Sequence, residues 1–242
     1  MNDHELAATL ATRAGELLRA VRDEFAAAEA AERKAQGDRR SHDYLMEALA
    51  AARPADAVLS EEGADDPARL SADRVWIVDP LDGTREFSED GRQDWAVHVA
   101  LWCDGDLAAG AVALPAQGRT LATPRVPAAP AHSGAPRIMV SRTRPPAVAM
   151  AVRDALGGEL VEMGSAGAKV AAVIEGRAEV YVHAGGQYEW DSAAPVAVAR
   201  AAGLHTSRID GSPLEYNRPE PLLPDLLVCP PRYVDAVLAV LR

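Results

Sequence analysis

Apolar residues at the start of the chain recur at helical spacing. Leu6, Leu10, Leu17, Leu18, Val21 and Phe25 mark one face of a helix. Asn2 or Asp3 is a suitable cap for it. The alanine- and charge-rich run AAAEAAERKAQGD reads as a continuation that breaks at Gly37. A second helix, SHDYLMEALAAA, is expected to start with Ser41 as its cap and to stop before Pro54. The pattern then tightens. AVLS reads as a short strand running into Glu61-Glu62, DDPARL as a helical turn with Pro67 at its first position, and Val75-Trp76-Ile77-Val78 as a strand. WAVHVALW and DLAAGAVALP flank Asp104-Gly105, which predicts a hairpin.

Residues 115–136 are rich in Pro, Ala, Gly and Ser and read as an exposed connection between two halves. Beyond it, strands and helices alternate: RIMVS, PAVAMAVRDALG, ELVEM, SAGAKVAAVIEG, AEVYVH, SAAPVAVARAAG, DLLVC and PRYVDAVLAVL. Alternation of this kind implies a layered α/β arrangement. The expected division is an N-terminal α+β half, 1–122, and a C-terminal α/β half, 136–242.

Composition narrows the function. The 242 residues carry a formal net charge of -11, which argues against a partner such as a nucleic-acid polymer or an anionic membrane. A small phosphorylated ligand stays open, because a bound cation inverts the local sign. Cys103 and Cys229 fit no metal spacing and read as thiols of a reducing compartment. The N-terminus has no basic region followed by an apolar core, and no run is long enough to span a bilayer. The expected location is cytoplasmic.

Acids gather where strands end: Glu61-Glu62 after VLS, Asp79 and Asp82 after VWIV, and Asp191 before SAAPVAVA. Strand ends of such sheets are where ligands bind. Each group alone has a plainer reading: a solvated loop, an Asp-Pro-Gly turn, a helix cap. Together, without matching Lys or Arg, they call for a hard divalent cation with oxygen ligands, such as Mg²⁺. Pro80 stiffens the turn so that Asp79 and Asp82 can face one space. Gly83 permits close backbone approach, so its amide and that of Thr84 can meet a phosphate oxygen.

The pieces LSEEG, WIVDPLDGTREF and YEWDSAAPVAVARAAG resemble the three signature motifs of the inositol monophosphatase-like, lithium-sensitive, Mg²⁺-dependent phosphatases. VLSEE, the phenylalanine after DGTRE and EWDSAAP are most similar to the 3'(2'),5'-bisphosphate nucleotidase branch, which removes the 3'-phosphate of 3'-phosphoadenosine 5'-phosphate in sulfur assimilation. The resemblance implies a layered α-β-α-β-α sandwich of the sugar-phosphatase type. It implies two Mg²⁺ ions, with a third as an option: Glu61, Asp79 and the Leu81 carbonyl at the first, Asp79, Asp82 and Asp191 at the second. Glu62 would orient a ligand or water, and Thr84 with Asp38 would position and deprotonate the attacking water. The segment ERKAQGDRRSHDYL departs from the family pattern, with Ala35 where a threonine is usual and Lys34 beside it. Many relatives are homodimers.

Substrate contacts are expected from Asp82, Gly83, Thr84, Arg85 and Asp191, and from Ser141, Arg142 and Lys169 of the second half. Arginine suits bidentate phosphate contacts and a helix start suits anions. Arg142, Arg144 and Lys169 also read as ordinary surface cations. His98 and His183 alternate with apolar residues and read as packed side chains. Trp190 reads as packing near the site, and Tyr188 as a candidate to touch a nucleobase. The leading activity is hydrolysis of 3'-phosphoadenosine 5'-phosphate to AMP and phosphate. Inositol 1-phosphate or fructose 1,6-bisphosphate is the alternative substrate, and a non-catalytic metal- or phosphate-sensing module is the alternative class. No twelve-residue loop with alternating ligands is present for Ca²⁺.

Overall fold

Asn2 opens the first helix, α1 (Asp3–Glu24). Its side chain accepts from the Glu5 amide, and the Glu5 carboxylate accepts from the Asn2 amide. The structure, a computed structural model, describes residues 1–127 and 132–241. The first helix ends at Glu24, and α2 (Ala30–Ala52) runs unbroken through Gly37 and Ser41. The expected break at Gly37 and cap at Ser41 are therefore corrected. Gly37 is small because α2 crosses β2 and α3 there: a Cβ would stand 2.8 Å from Phe87 and 2.9 Å from Leu81. Ser41 is not a cap. Its hydroxyl is buried and donates to the Pro80 carbonyl at 2.7 Å. The helix does stop ahead of Pro54, with Arg53 as its last cap.

The first sheet contains β1 (Ala57–Ser60), β2 (Arg74–Asp82), β3 (Ala96–Cys103), β4 (Asp106–Leu114) and β5 (Arg119–Ala122), in the order β1-β2-β3-β4-β5. β1 lies parallel to β2, and the remaining pairs are antiparallel, including the expected hairpin at Asp104-Gly105. A short helix, α3 (Thr84–Ser88), follows β2. The reading of 115–136 as connection holds only in part. Gly118, at φ 65°, reverses the chain so that β5 pairs with the edge of β4. Arg119-Thr120-Leu121-Ala122 are all half-buried and show no apolar alternation to betray them. Residues 128–131 of that stretch lie outside the described residues.

The second sheet is built from β6 (Arg137–Ser141), β7 (Glu159–Met163), β8 (Val180–Tyr188), β9 (His205–Ser207) and β10 (Leu222–Cys229), ordered β7-β6-β8-β10-β9. β9 was not legible, being three residues long. The remaining helices are α4 (Ala147–Leu156), α5 (Ala166–Ile174), α6 (Glu189–Ala201) and α7 (Val234–Leu241).

Three apolar clusters hold the layers. Leu18 and Leu45 of α1 and α2 meet Trp76 and Val78 on one face of the first sheet. Val75 and Ile77 on its other face join Val173 of α5, Val196 of α6 and Leu226 of the second sheet. Val152 of α4 and Val237 of α7 cover Val140 and Val182 on the far side. The result is an α-β-α-β-α sandwich, as expected. β2 is covered on both faces, which explains its continuous apolar run. α5 is buried almost all round, as its uniformly apolar sequence requires.

Candidate active site

β2 ends inside the protein, and its last residues are held from several directions. Asp79 Oδ1 accepts from the Leu81 amide at 2.9 Å, which closes the turn over Pro80. Ser41 holds the Pro80 carbonyl from α2. Leu81 packs among Phe87 and Trp95. Gly83 then takes φ 84°, a left-handed conformation that starts α3 at Thr84. From the second half, α6 brings Asp191, whose Oδ2 accepts from the Tyr188 amide at 2.6 Å. Oxygens of Asp79, Asp82 and Asp191 all come within 4.8 Å of one another. Glu61, just past β1, neighbours Asp79 closely enough for each carboxyl to shift the other's pKa.

The electrostatics are those of crowded like charges. Burial, then Glu61, Asp82 and Asp191, push the Asp79 carboxyl well above its ordinary value. Withdrawal from water and the neighbouring Asp191 raise Glu61 to about 7, and burial with Asp82 raises Asp191 to about 6. Asp82 behaves differently. Burial raises it, but His98, Ser165 and Lys169 overcome that and hold it at about 2. His98 Nε2 lies 3.2 Å from Asp82 Oδ2, and its Nδ1 donates to the Trp190 carbonyl at 3.0 Å. Burial alone would lower the His98 pKa, but Asp82 raises it. Asp82 also accepts from Ser165 Oγ at 2.5 Å and from the Ala166 and Gly167 amides at 3.1 and 2.7 Å. It thereby seats β2 against the start of α5.

This donor set fits a hard divalent cation. Every side-chain ligand offered is a carboxylate oxygen, and the raised pKa values of Asp79, Glu61 and Asp191 record burial and mutual repulsion that a cation would offset. Asp82 Oδ1 accepts one hydrogen bond and keeps a lone pair.

The cluster opens into a cavity of about 580 Å³. Gly83, Thr84 and Arg85 line it, as do Ser141, Arg142 and Lys169. Lys169 is buried, not a surface cation. Its Nζ reaches the Gly164 carbonyl at 3.4 Å and lies 5.4 Å from the centre of the Tyr181 ring. Burial lowers its pKa against the pull of Asp82 and Glu86. Arg142 is engaged by two carboxylates, Glu86 and Glu89, at 2.6 Å each. Asp38 and Glu62 do not line this cavity. Asp38 faces Glu62 and Lys34, and burial and Glu62 raise it to about 7. No hydrogen bond joins Asp38 to Thr84 among the described residues.

Two residues missed as participants in the site stand at its centre. His98 was read as packing, and it is fully buried. Yet it lies opposite Asp79 in the β2–β3 register, which brings its ring to Asp82. Ser165 caps α5, accepting from the Ala168 amide at 2.9 Å while donating to Asp82. Serine ahead of AGAKVAA was a legible cap, but its partner lies 83 residues away.

Two sheets with helices between and outside them, and an all-carboxylate cation site opening on a cleft that holds a buried lysine, define a protein built for a phosphate ester. The chain belongs to the inositol monophosphatase family, whose model matches residues 2–239. It is 50% identical over 255 aligned residues to the 3'-phosphoadenosine 5'-phosphate phosphatase of Mycobacterium leprae (strain TN), covering 100% of this chain and 94% of that protein. It is 54% identical over 225 residues to the phosphatase of the same name from Mycobacterium bovis (strain ATCC BAA-935 / AF2122/97), covering 89% and 84%. Its fold matches the crystal structure of CysQ from Bacteroides thetaiotaomicron, a bacterial member of the family, with a TM-score of 0.78 and 27% identity over 94% of this chain and 97% of that one.

Proposed function

We propose that this chain hydrolyses 3'-phosphoadenosine 5'-phosphate to AMP and phosphate, with Mg²⁺ as its cofactor. The observation that carries the reading is the triad of Asp79, Asp82 and Asp191, open to a cleft that Lys169 also lines. The two phosphatases that are half-identical to the chain support the choice of substrate. Glu61, Asp79, the Leu81 carbonyl, Asp82 and Asp191 would hold two ions. Bound there, Mg²⁺ supplies charge neutralisation and a more acidic water.

The chain's own groups do the rest. Gly83 and Thr84 offer amides to the transferred phosphate, and Arg85 stands beside them at the rim. Thr84, with Asp38 as its expected partner, would orient the attacking water, which requires the two to come together when ions and substrate bind. Asp38 at about 7 is poised to take a proton near neutral pH. Burial, and then the charge of Glu62, hold Asp38 at that value. Lys169 and Ser141 face the second phosphate, and Arg142 joins them when its carboxylate partners release it. The division of labour follows the two halves: 1–122 would bring most ion ligands and the contacts to the transferred phosphate, and 136–242 Asp191 and the substrate-specificity residues. No helix among the described residues is long and apolar enough to cross a membrane. The free thiols of Cys103 and Cys229 suit a cytoplasmic setting.

The test is phosphate release from 3'-phosphoadenosine 5'-phosphate, inositol 1-phosphate and fructose 1,6-bisphosphate, each with Mg²⁺ and with EDTA. Metal-dependent turnover fastest on the nucleotide is the expected result. A preference for either sugar phosphate would overturn the substrate, and no turnover on any would overturn the enzyme reading.

A further inference from the structure

β8 reaches the cavity as Ala184-Gly185-Gly186-Gln187-Tyr188. Its pairing with β10 slips there: Ala184 faces Asp225, yet Gln187 faces Leu223. Three steps on β8 meet two on β10, and Gly185 and Gly186, at φ 110° and 83°, absorb the extra residue.

This bulge leaves two polar groups without a full set of partners at the cavity wall. The Gly186 carbonyl lies 3.0 Å from His183 Nε2. A carbonyl only accepts, so Nε2 carries the proton of that bond, and Nδ1 of the neutral ring is left as an acceptor. Burial lowers the His183 pKa against the pull of Gly186, which keeps the ring neutral near pH 7. Gln187 is 8% exposed, and its Nε2 is buried with no hydrogen-bond partner. A buried amide left unpaired is costly and needs an explanation. Both residues line the cavity. Beyond them Tyr188, 47% exposed, lies flat on Trp190, with ring centroids 4.6 Å apart and planes 10° apart. One aromatic face thus remains at the rim for a planar ring.

We propose that His183 and Gln187 are specificity-determining residues that read the edge of a 6-aminopurine. Gln187 Nε2 donates to a ring nitrogen, and His183 Nδ1 accepts from the exocyclic amine. Neither is charged, so the pair suits a base and not a second phosphate. The inference rests on the nucleotide phosphatase reading above and deepens it.

The experiment is steady-state kinetics on two substrates: 3'-phosphoadenosine 5'-phosphate and the same bisphosphate carrying unsubstituted purine. Wild-type protein is compared with Gln187→Met and His183→Phe. Wild type is expected to favour the aminopurine by roughly 10- to 100-fold in kcat/KM. His183→Phe is expected to bring the two substrates within about 3-fold, through a higher KM for the aminopurine at unchanged kcat, and Gln187→Met to raise KM for both substrates by a similar factor at unchanged kcat, because both carry the ring nitrogen. Turnover of unsubstituted purine, unchanged in His183→Phe, and an unchanged kcat in Gln187→Met control for folding. Undiminished discrimination in His183→Phe, an unchanged KM in Gln187→Met, or no discrimination in wild type would overturn the inference and leave the phosphatase reading standing. If wild type hydrolyses neither substrate, both fall together.

Discussion

β2 and β8 both end at the same cavity, and they end in opposite ways. β2 closes on two buried aspartates pinned by Ser41, the Leu81 amide, His98 and the start of α5. β8 closes on two left-handed glycines, an unpartnered amide and an exposed tyrosine. The first arrangement fixes carboxylates that repel each other, which requires many constraints and little water. The second leaves polar groups waiting for a ligand. On the reading proposed above, the ion ligands sit where the fold has no freedom, and the groups that choose the substrate sit where it has some.

The strongest test of that contrast is Asp79→Asn. Activity is expected to fall at least ~10³-fold, because a carboxylate proposed to hold the ions is lost. The melting temperature without metal is expected to rise, because a buried like-charge contact is relieved. Loss of activity with a lower metal-free melting temperature would show that Asp79 is structural. An equal change at the other strand end, Tyr188→Ala, is expected to move stability by no more than ~0.5 kcal/mol.

pH sharpens the same point. Glu61 and Asp38 stand at about 7 and Asp191 at about 6, above the ordinary 4.5 and 3.8. The folded state therefore holds these protons more tightly than the unfolded chain. Their stabilisation is complete below the ordinary values and is lost as pH rises through 7. Metal-free protein is expected to melt at progressively lower temperature from about pH 4 to pH 7.5 on this account. Mg²⁺ is expected to raise the melting temperature far more at pH 7.5 than at pH 5, where protons compete for the same oxygens. A Mg²⁺ shift that does not change with pH would break the assignment of ligands.

Smaller effects come from the scaffold behind β2. Gly37→Val puts carbon against Leu81 and Phe87 and is expected to cost about 1–3 kcal/mol. Lower kcat is expected with it, since Leu81 belongs to the metal turn. Ser41→Ala leaves the buried Pro80 carbonyl without its donor and is expected to cost about 1–2 kcal/mol in chemical denaturation. Denaturation midpoints equal to wild type in both would mean that α2 does not brace the turn.

What could be read from residues alone follows the same divide. Asp79, Asp82 and Asp191 were legible because acids at strand and helix ends, without basic partners, have few uses. The layered fold was legible from strand–helix alternation. Gly37 and Ser41 were misread because their reasons lie across space, in Phe87, Leu81 and Pro80. His98 looked like core because burial and function coincide there. β5 and β9 are short and lack alternation, so no periodic signal marks them.

Asp82 joins the two halves of the molecule as well as serving its site. Its hydrogen bonds from Ser165, Ala166 and Gly167, and its neighbour Asp191, all come from residues made long after it during synthesis. A nascent chain that has finished the first sheet carries two of the triad's aspartates but neither the helix start nor the third. High cation affinity therefore arrives late, once α5 and α6 have packed between the sheets. The bound ion would then act as a seal on a completed fold, and a chain stalled midway would hold its acids without it.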